Sequence, residues 1–239
     1  MAFKSKLEGF KMIKIENTEV YGWKAAIRGM RNSYNSWDKS DSYETHIENP
    51  QTLNTAPFEF FIGDNDLALM KKLVKSGSDH SKFMRMITVT CDITAPLYWW
   101  KEADTYKVGT VRNSCSTMHK ITEKEFTLDD FSHEHLIVAS LNSLNRTIED
   151  LNSCRNGYLN EDISKNPEWK KEVWWQMIQL LPSSYNQRST VQTNYEVLRN
   201  MYHSRKNHKL DEWVEFCKWI KTLPYSELIT GGNENGTQA

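Results

Sequence analysis

The stretch Met84–His119, MRMITVTCDITAPLYWWKEADTYKVGTVRNSCSTMH, decides the fold because its hydrophobic period changes within it. Met84, Met86, Thr88, Thr90 and Asp92 alternate with Arg85, Ile87, Val89, Cys91 and Ile93, the two-residue period of a half-buried strand. Ala95-Pro96 ends that strand, since proline has no N–H to donate and restricts the residue before it. Pro96 then suits the first turn of a helix. That helix carries Leu97, Tyr98, Trp99, Trp100, Ala103 and Tyr106, too aromatic to be left in water. A hydroxyl-rich loop follows, with Gly109, Thr110, Asn113, Ser114, Cys115, Ser116 and Thr117. A strand, a buried helix and a polar loop can hold binding groups on a rigid scaffold. The blander reading, which this stretch alone favours, is an ordinary hairpin-and-loop connection.

The chain has 239 residues, enough for one large domain or two small ones. No internal repeat or clear linker divides it, so one domain is expected over 1–229, with a Gly/Asn-rich, disordered tail over 230–239. Thirty basic residues balance 31 acidic ones, which argues against a nucleic-acid coat or a polybasic membrane anchor. No apolar run approaches the length of a membrane span. Met1–Phe10 has lysines but no apolar core and reads as a loose arm rather than a signal peptide. Cys91, Cys115, Cys154 and Cys217 form no CxxC pair, which argues against a disulfide framework or a zinc ribbon. Cys115 and His119 are one helical turn apart, but no second ligand pair lies near them. A reducing cytoplasm is the expected setting. Nine tryptophans supply apolar surface for a substantial core.

Elsewhere, Met12–Glu16 reads as a strand and Val20–Met30 as a helix with Trp23, Ala26, Ile27 and Met30 inward. The run Arg28–Ser42 is rich in Asn, Ser and Asp with aromatics embedded. It reads equally as a surface loop held by local side-chain turns or as a phosphate- or base-contacting loop with Arg28 or Arg31 as anion partner. Residues 44–57 are turn-like, Phe58–Ile62 is a short apolar strand, and a helix starts at Gly63–Asp66 and stops near Gly77. His80 follows in a turn, where a lone histidine is more often neither ligand nor base. Thr127–Asp130 resembles a capping box ahead of a long helix through Leu141, Leu144, Ile148 and Leu151 that ends at Asn156-Gly157. Pro167 opens another, with Trp169, Val173, Trp174, Met177, Ile178 and Leu181 inward. Leu181–Thr190 breaks it, Asn194–His203 is helical, Arg205–Lys209 is basic, and a last helix buries Trp213, Phe216, Cys217 and Ile220.

Two blocks together resemble the flavin-dependent thymidylate synthases. In that family a histidine turn H-E-x-P-F leads to a strand ending in A-P, a helix carrying R-H-R, and a loop ending S-x-R-Y. Here His80-Ser81-Lys82-Phe83 stands at the turn and Thr94-Ala95-Pro96 at the strand end. The R-H-R positions are Thr105, Tyr106 and Lys107, and the serine and arginine of the loop fall on Cys115 and Thr117. The second block is more specific. The family's L-P-x5-R-x5-N-x5-N-x4-R-x3-H matches Leu181-Pro182, Arg188, Asn194, Asn200 and Arg205, with its histidine at Lys209 and His208 one place off. Ala25-Ala26-Ile27-Arg28 resembles the family's A-A-R segment.

The resemblance implies an α+β subunit with a central antiparallel or mixed sheet and long helices, assembled as a homotetramer. It implies FAD, a pyrimidine nucleotide such as dUMP, methylenetetrahydrofolate as one-carbon donor and NADPH as reductant. By the same resemblance His80, Lys107, Asn194, Asn200 and His208 are cofactor-binding candidates, and Arg205 faces the pyrimidine as the catalytic candidate. Cys115, Thr117, Arg188 and Arg28 are the remaining substrate-binding candidates. Thr105, Tyr106 and Thr117 remove cations that the family uses. The other reading is therefore a catalytically degenerate nucleotide- or protein-binding module on the same fold.

Overall fold

The computed structural model describes residues 12–46, 58–160 and 165–231. The expected arm at Met1–Phe10, most of the turn-like 44–57 segment and the tail beyond Gly231 lie outside the described residues. In chain order the elements are β1 (Lys14–Tyr21), α1 (Trp23–Asn32), β2 (Tyr43–His46), β3 (Phe58–Phe61), α2 (Asp64–Lys75), β4 (Thr88–Pro96) and α3 (Leu97–Ala103). They continue with β5 (Val111–Ser114), α4 (Thr117–Lys120), α5 (Val138–Leu159), α6 (Pro167–Leu180), β6 (Asn186–Asn194), α7 (Tyr195–Arg205), α8 (Asp211–Ile220) and α9 (Glu227–Thr230). A four-stranded sheet has the order β1-β4-β6-β5, and β2 and β3 form a separate antiparallel pair. The class is α+β with a central antiparallel sheet.

The strand in the opening stretch begins at Thr88, later than its alternation suggests. Lys82–Met86 is a 3-10 turn that buries Phe83 and Met84, so the early apolar positions belong to the turn. From Thr88 the alternation holds, with Val89, Cys91, Ile93 and Ala95 inward and threonines and Asp92 on the other face. The following loop is not wholly irregular, since it contains β5 and α4.

β6 is the strand that the polar run Leu181–Thr190 conceals. Its inward positions Ser189, Val191 and Thr193 are small or half polar, so the alternation carries little hydrophobic signal. The capping box at Thr127–Asp130 forms, but it closes a single 3-10 turn. Phe131 then bridges Tyr185, and Ser132 donates its N–H to the Ser184 carbonyl, which pulls the chain out of helix until Val138.

The described residues fall into two compact units, both discontinuous in sequence, within the ranges 1–16, 92–105 and 112–190 and within the ranges 17–91, 106–111 and 191–239. In the first, α5 and α6 cover a core of Ile121, Phe126, Phe131, Leu144, Ile148, Leu151 and Met177. The Asn152 side chain accepts from the Phe126 N–H and donates to its carbonyl, both at 2.8 Å, tying the 121–131 segment to α5.

In the second unit α7 buries Tyr195, Leu198, Met201 and Tyr202. Trp23 meets Tyr195 edge-on at 5.2 Å, and α8 contributes Trp213, Phe216 and Ile220 to the buried set. Gly22 precedes α1 at φ 95°, and a Cβ there would come within 2.0 Å of the Met86 carbonyl oxygen, so only glycine fits.

The second unit also contains a buried ion pair. Arg31, 4% exposed, donates from Nε to Asp66 Oδ1 at 2.5 Å, and Asp66 is fully buried. Asp66 Oδ2 accepts from the hydroxyls of Ser40 and Ser42 at 2.7 Å and from the Asp41 and Ser42 N–H groups at 3.2 Å. Asp41 in turn accepts from the Asn65 and Asp66 N–H groups, which caps α2 from a distant loop. Burial alone would raise the Asp66 pKa, but hydrogen bonds from Ser42, Ser40 and Arg31 outweigh it and hold the carboxyl below its usual range.

Asp66→Ala leaves Arg31 buried without its partner and should cost about 3–5 kcal/mol in denaturant unfolding. A carboxyl with a depressed folded pKa contributes stability above its unfolded pKa of about 4 and loses it as pH falls through the folded value. The unfolding midpoint should therefore drop below about pH 4, and Asp66→Asn should flatten that dependence.

Candidate functional site

The second unit brings Arg205, His208 and Tyr106 together. Arg205 closes α7, and its Nε donates to the Tyr106 hydroxyl at 3.0 Å. Its Nη1 lies 3.0 Å from His208 Nε2, while the Leu210 N–H donates to His208 Nδ1 at 3.2 Å. The guanidinium lies 5.0 Å from the Trp213 ring centroid and 5.6 Å from that of Tyr106. A planar cation between aromatic faces is held in orientation as well as charge. Tyr106 stands at one of the family's R-H-R positions, and the contact with Arg205 links that segment to α7. The helical spacing of Trp213 marks it only as core and gives no hint of a cation over its ring.

At the other end of α7, Asn194 is the N-cap. Its Oδ1 accepts from the Val197 N–H at 3.0 Å, and its Nδ2 donates to the Gly109 carbonyl at 3.4 Å. Gly109 has φ 79°, and a Cβ there would sit 3.1 Å from Asn194 Nδ2 and 3.2 Å from Val197. The 106–110 segment is thus fastened to both ends of α7. Thr110 adds a hydroxyl contact with Thr193 at 3.2 Å. Lys107, His80 and Asn200 are exposed, and among the described residues no salt bridge forms at Lys107. Asn194 differs from them, because both ends of its amide already have protein partners.

The first unit holds Cys115, Thr117 and Arg188 around a cleft of about 560 Å³, lined also by Lys120, Asp130 and Tyr185. Arg188 pairs with Asp92 Oδ2 at 2.8 Å, and this carboxylate raises its pKa. Thr190 donates to the other Asp92 oxygen at 2.6 Å. The Cys115 N–H donates to the Arg188 carbonyl at 3.0 Å.

Gln187 lies behind this loop. Its Nε2 donates to the Cys115 carbonyl at 2.8 Å and to Thr117 Oγ1 at 3.0 Å, and its Oε1 accepts from Arg112 Nη2 at 2.5 Å. Arg112 also donates from Nε to Ser189 Oγ at 3.0 Å and from Nη1 to both Asp104 oxygens, and it stacks 3.7 Å from the Trp100 ring centroid. Arg112 and Gln187 hold the loop, and nothing in their sequence spacing marks them as a pair. Arg28 belongs to neither group; it lies exposed on α1.

Among the described residues no group of three His, Cys, Asp or Glu could hold a metal, and no helix is long and apolar enough to cross a membrane.

No protein-family profile and no curated protein sequence matches the chain. Solved structures do. A flavin-dependent thymidylate synthase ThyX from Helicobacter pylori, complexed with FAD and dUMP, superimposes with a TM-score of 0.63 at 14% identity. The match covers 90% of this chain and 96% of that one. A second Helicobacter pylori ThyX structure with FAD and dUMP gives 0.60 at 15% identity, over 90% and 95% of the two chains. A UMP/dUMP methylase, PolB from Streptomyces cacaoi, bound with 5-Br UMP, gives 0.53 at 12% identity, over 92% and 94%. The chain has the flavin-dependent thymidylate synthase fold, at a sequence distance that leaves its chemistry to its own residues.

Gln187→Ala cuts two hydrogen bonds to the 115–117 loop. Its Cys115 amide should exchange with deuterium about tenfold faster, and stability should fall by about 1–3 kcal/mol. Arg112→Lys, which lacks the planar fork, should produce the same exchange change from a distance.

Proposed function

We propose that the chain is a flavoprotein that carries out reductive one-carbon transfer to a pyrimidine nucleotide, dUMP or a close relative. The observation that carries this reading is the Arg205 guanidinium, held between Tyr106 and Trp213 at the end of α7. A guanidinium oriented in this way can donate to a pyrimidine carbonyl oxygen and stabilise negative charge developing on the ring.

The donor set of the second unit suits FAD. Exposed Lys107 supplies positive charge for a diphosphate, and exposed Asn200 and His80 supply hydrogen-bonding groups. Asn194 and Gly109 shape the backbone that would lie beside the cofactor, and His208 sets the orientation of Arg205. Bound FAD supplies the reducing equivalents, with NADPH as their source and methylenetetrahydrofolate as the one-carbon donor. The chain's task is positioning and electrostatics.

Within the first unit Thr117 and Cys115 offer a hydroxyl and backbone groups to an anionic group, and Arg188 supplies charge even while paired with Asp92. The large apolar side chains exposed on α5 and α6, including Val138, Trp169 and Trp175, support assembly into a homotetramer.

A second reading is favoured by one specific feature. Thr105, Tyr106 and Thr117 carry no charge, and Tyr106 engages the very arginine meant for the base. On this reading the fold binds a nucleotide without turning it over.

Purified protein should be yellow or take up added FAD, with the absorbance bands of bound flavin; a protein that stays colourless in excess FAD rejects the first reading. Arg205→Ala should weaken dUMP binding about 10–100-fold in calorimetry, and Lys107→Ala should weaken FAD. Tritium release from C5 of labelled dUMP, with reduced flavin present, would reject the degenerate reading; its absence with dUMP and FAD bound would support it.

A further inference from the structure

The run Arg28–Ser42, read from sequence equally as a surface loop or a phosphate- or base-contacting loop, takes no part in the Arg205 site. It forms the wall of a separate cleft in the second unit, about 680 Å³ in volume. One side is a face of α1 with Lys24, Ile27, Arg28 and Asn32; the other carries Trp37, Tyr43 and Phe60. No residue of this lining is shared with the Arg205 cluster. The volume falls within the range of small-molecule sites and exceeds what a bare nucleobase needs.

Three features set this cleft apart from ordinary surface. Trp37 is 52% exposed and Tyr43 59% exposed, large aromatic area to leave in water. Both rings are nonetheless fixed. The Trp37 indole N–H donates to Asn32 Oδ1 at 2.7 Å, and Tyr43 stacks on Phe61 with centroids 5.4 Å apart and planes 20° apart.

The loop that presents them is clamped from below. Arg31 donates to the Ser36 carbonyl at 3.1 Å while it pairs with Asp66, and Asp66 collects Ser40 and Ser42. A buried ion pair whose carboxylate is hydrogen-bonded at both oxygens, lying beneath a surface loop, prevents that loop from collapsing its aromatics inward.

Charge is the third feature. Lys24 is paired with Glu44 at 3.2 Å, but Arg28 is exposed and forms no ion pair among the described residues. The cleft therefore offers flat, preorganised aromatic faces beside one available guanidinium.

We propose that this cleft is a second ligand site, and that it binds a mononucleotide. Its base stacks on Trp37 or Tyr43, and its phosphate is held by Arg28. Stacking on an aromatic side chain is tolerant of base identity, since every base has a π-face. Arginine is suited to phosphate through its paired donors. The site accordingly discriminates phosphate from no phosphate more sharply than one base from another.

The test is photolabelling of the full chain with 8-azidoadenosine 5′-monophosphate, followed by peptide mapping, with AMP, UMP and adenosine as competitors. Label should fall on the peptide bearing Trp37 or Tyr43. AMP and UMP should compete within a few-fold of each other, and adenosine should compete about tenfold less well. Arg28→Ala should lower labelling about tenfold and Arg28→Lys less, while Arg205→Ala should leave it unchanged. Arg28 is exposed, so its replacement should leave the fold intact; unchanged circular dichroism checks this. Trp37→Leu, read by calorimetry with AMP, gives a second variant that should weaken binding about tenfold. Labelling confined to other peptides, labelling indifferent to Arg28→Ala, equal competition by adenosine, or loss of labelling in Arg205→Ala would each overturn the proposal.

Discussion

In the second unit Tyr195 donates its backbone N–H to the Ile87 carbonyl at 3.1 Å, which ties the first residue of α7 to the residue that leads into β4. β4 passes directly into α3 and β6 directly into α7. A slip of β6 by one residue would turn its inward Ser189, Val191 and Thr193 to the other face. It would also displace Asn194 from the α7 N-cap. The helices that carry the candidate groups are therefore set by strand pairing, with caps and close glycine contacts making the final adjustment. Cys115, whose N–H donates to Arg188, shows β6 extending the same control to the 115–117 loop.

The two arginine arrangements illustrate different uses of one side chain. Arg112 satisfies its donors with Asp104, Ser189 and Gln187 and rests on Trp100, so its chemistry is structural. Arg205 meets a phenol, an imidazole and an indole face, partners that orient its guanidinium at the end of α7. A cation held in a fixed orientation is suited to meet an anionic or carbonyl-rich ligand. Arg31 is a third case, buried against Asp66 and given over to holding a loop.

Much of this was legible in the sequence, and what was missed has physical causes. The period-two run to Pro96 and the aromatic helix behind it located β4 and α3, because burial on one face writes a strong pattern. β6 was invisible because serine and threonine occupy its inward positions. The onset of α5 was placed early because a genuine capping box closes only one turn before Phe131 is drawn to Tyr185. The LP block, through Arg205, pointed to a fold that the structural matches bear out, whereas Gln187 and Arg112 act through contacts that no local spacing encodes. Arg31, a candidate anion partner by sequence, is instead committed to Asp66, 35 residues away in sequence.

The central claim is that this fold still presents a nucleotide and a flavin to Arg205 and its neighbours. A crystal of the protein soaked with FAD and dUMP tests it most directly. The account predicts flavin density beside α7 and the 106–110 segment, with the pyrimidine carbonyl oxygens within hydrogen-bond distance of the Arg205 guanidinium. Crystals soaked to saturation that hold neither ligand there, with Arg205 still bonded to Tyr106 and His208, would contradict it.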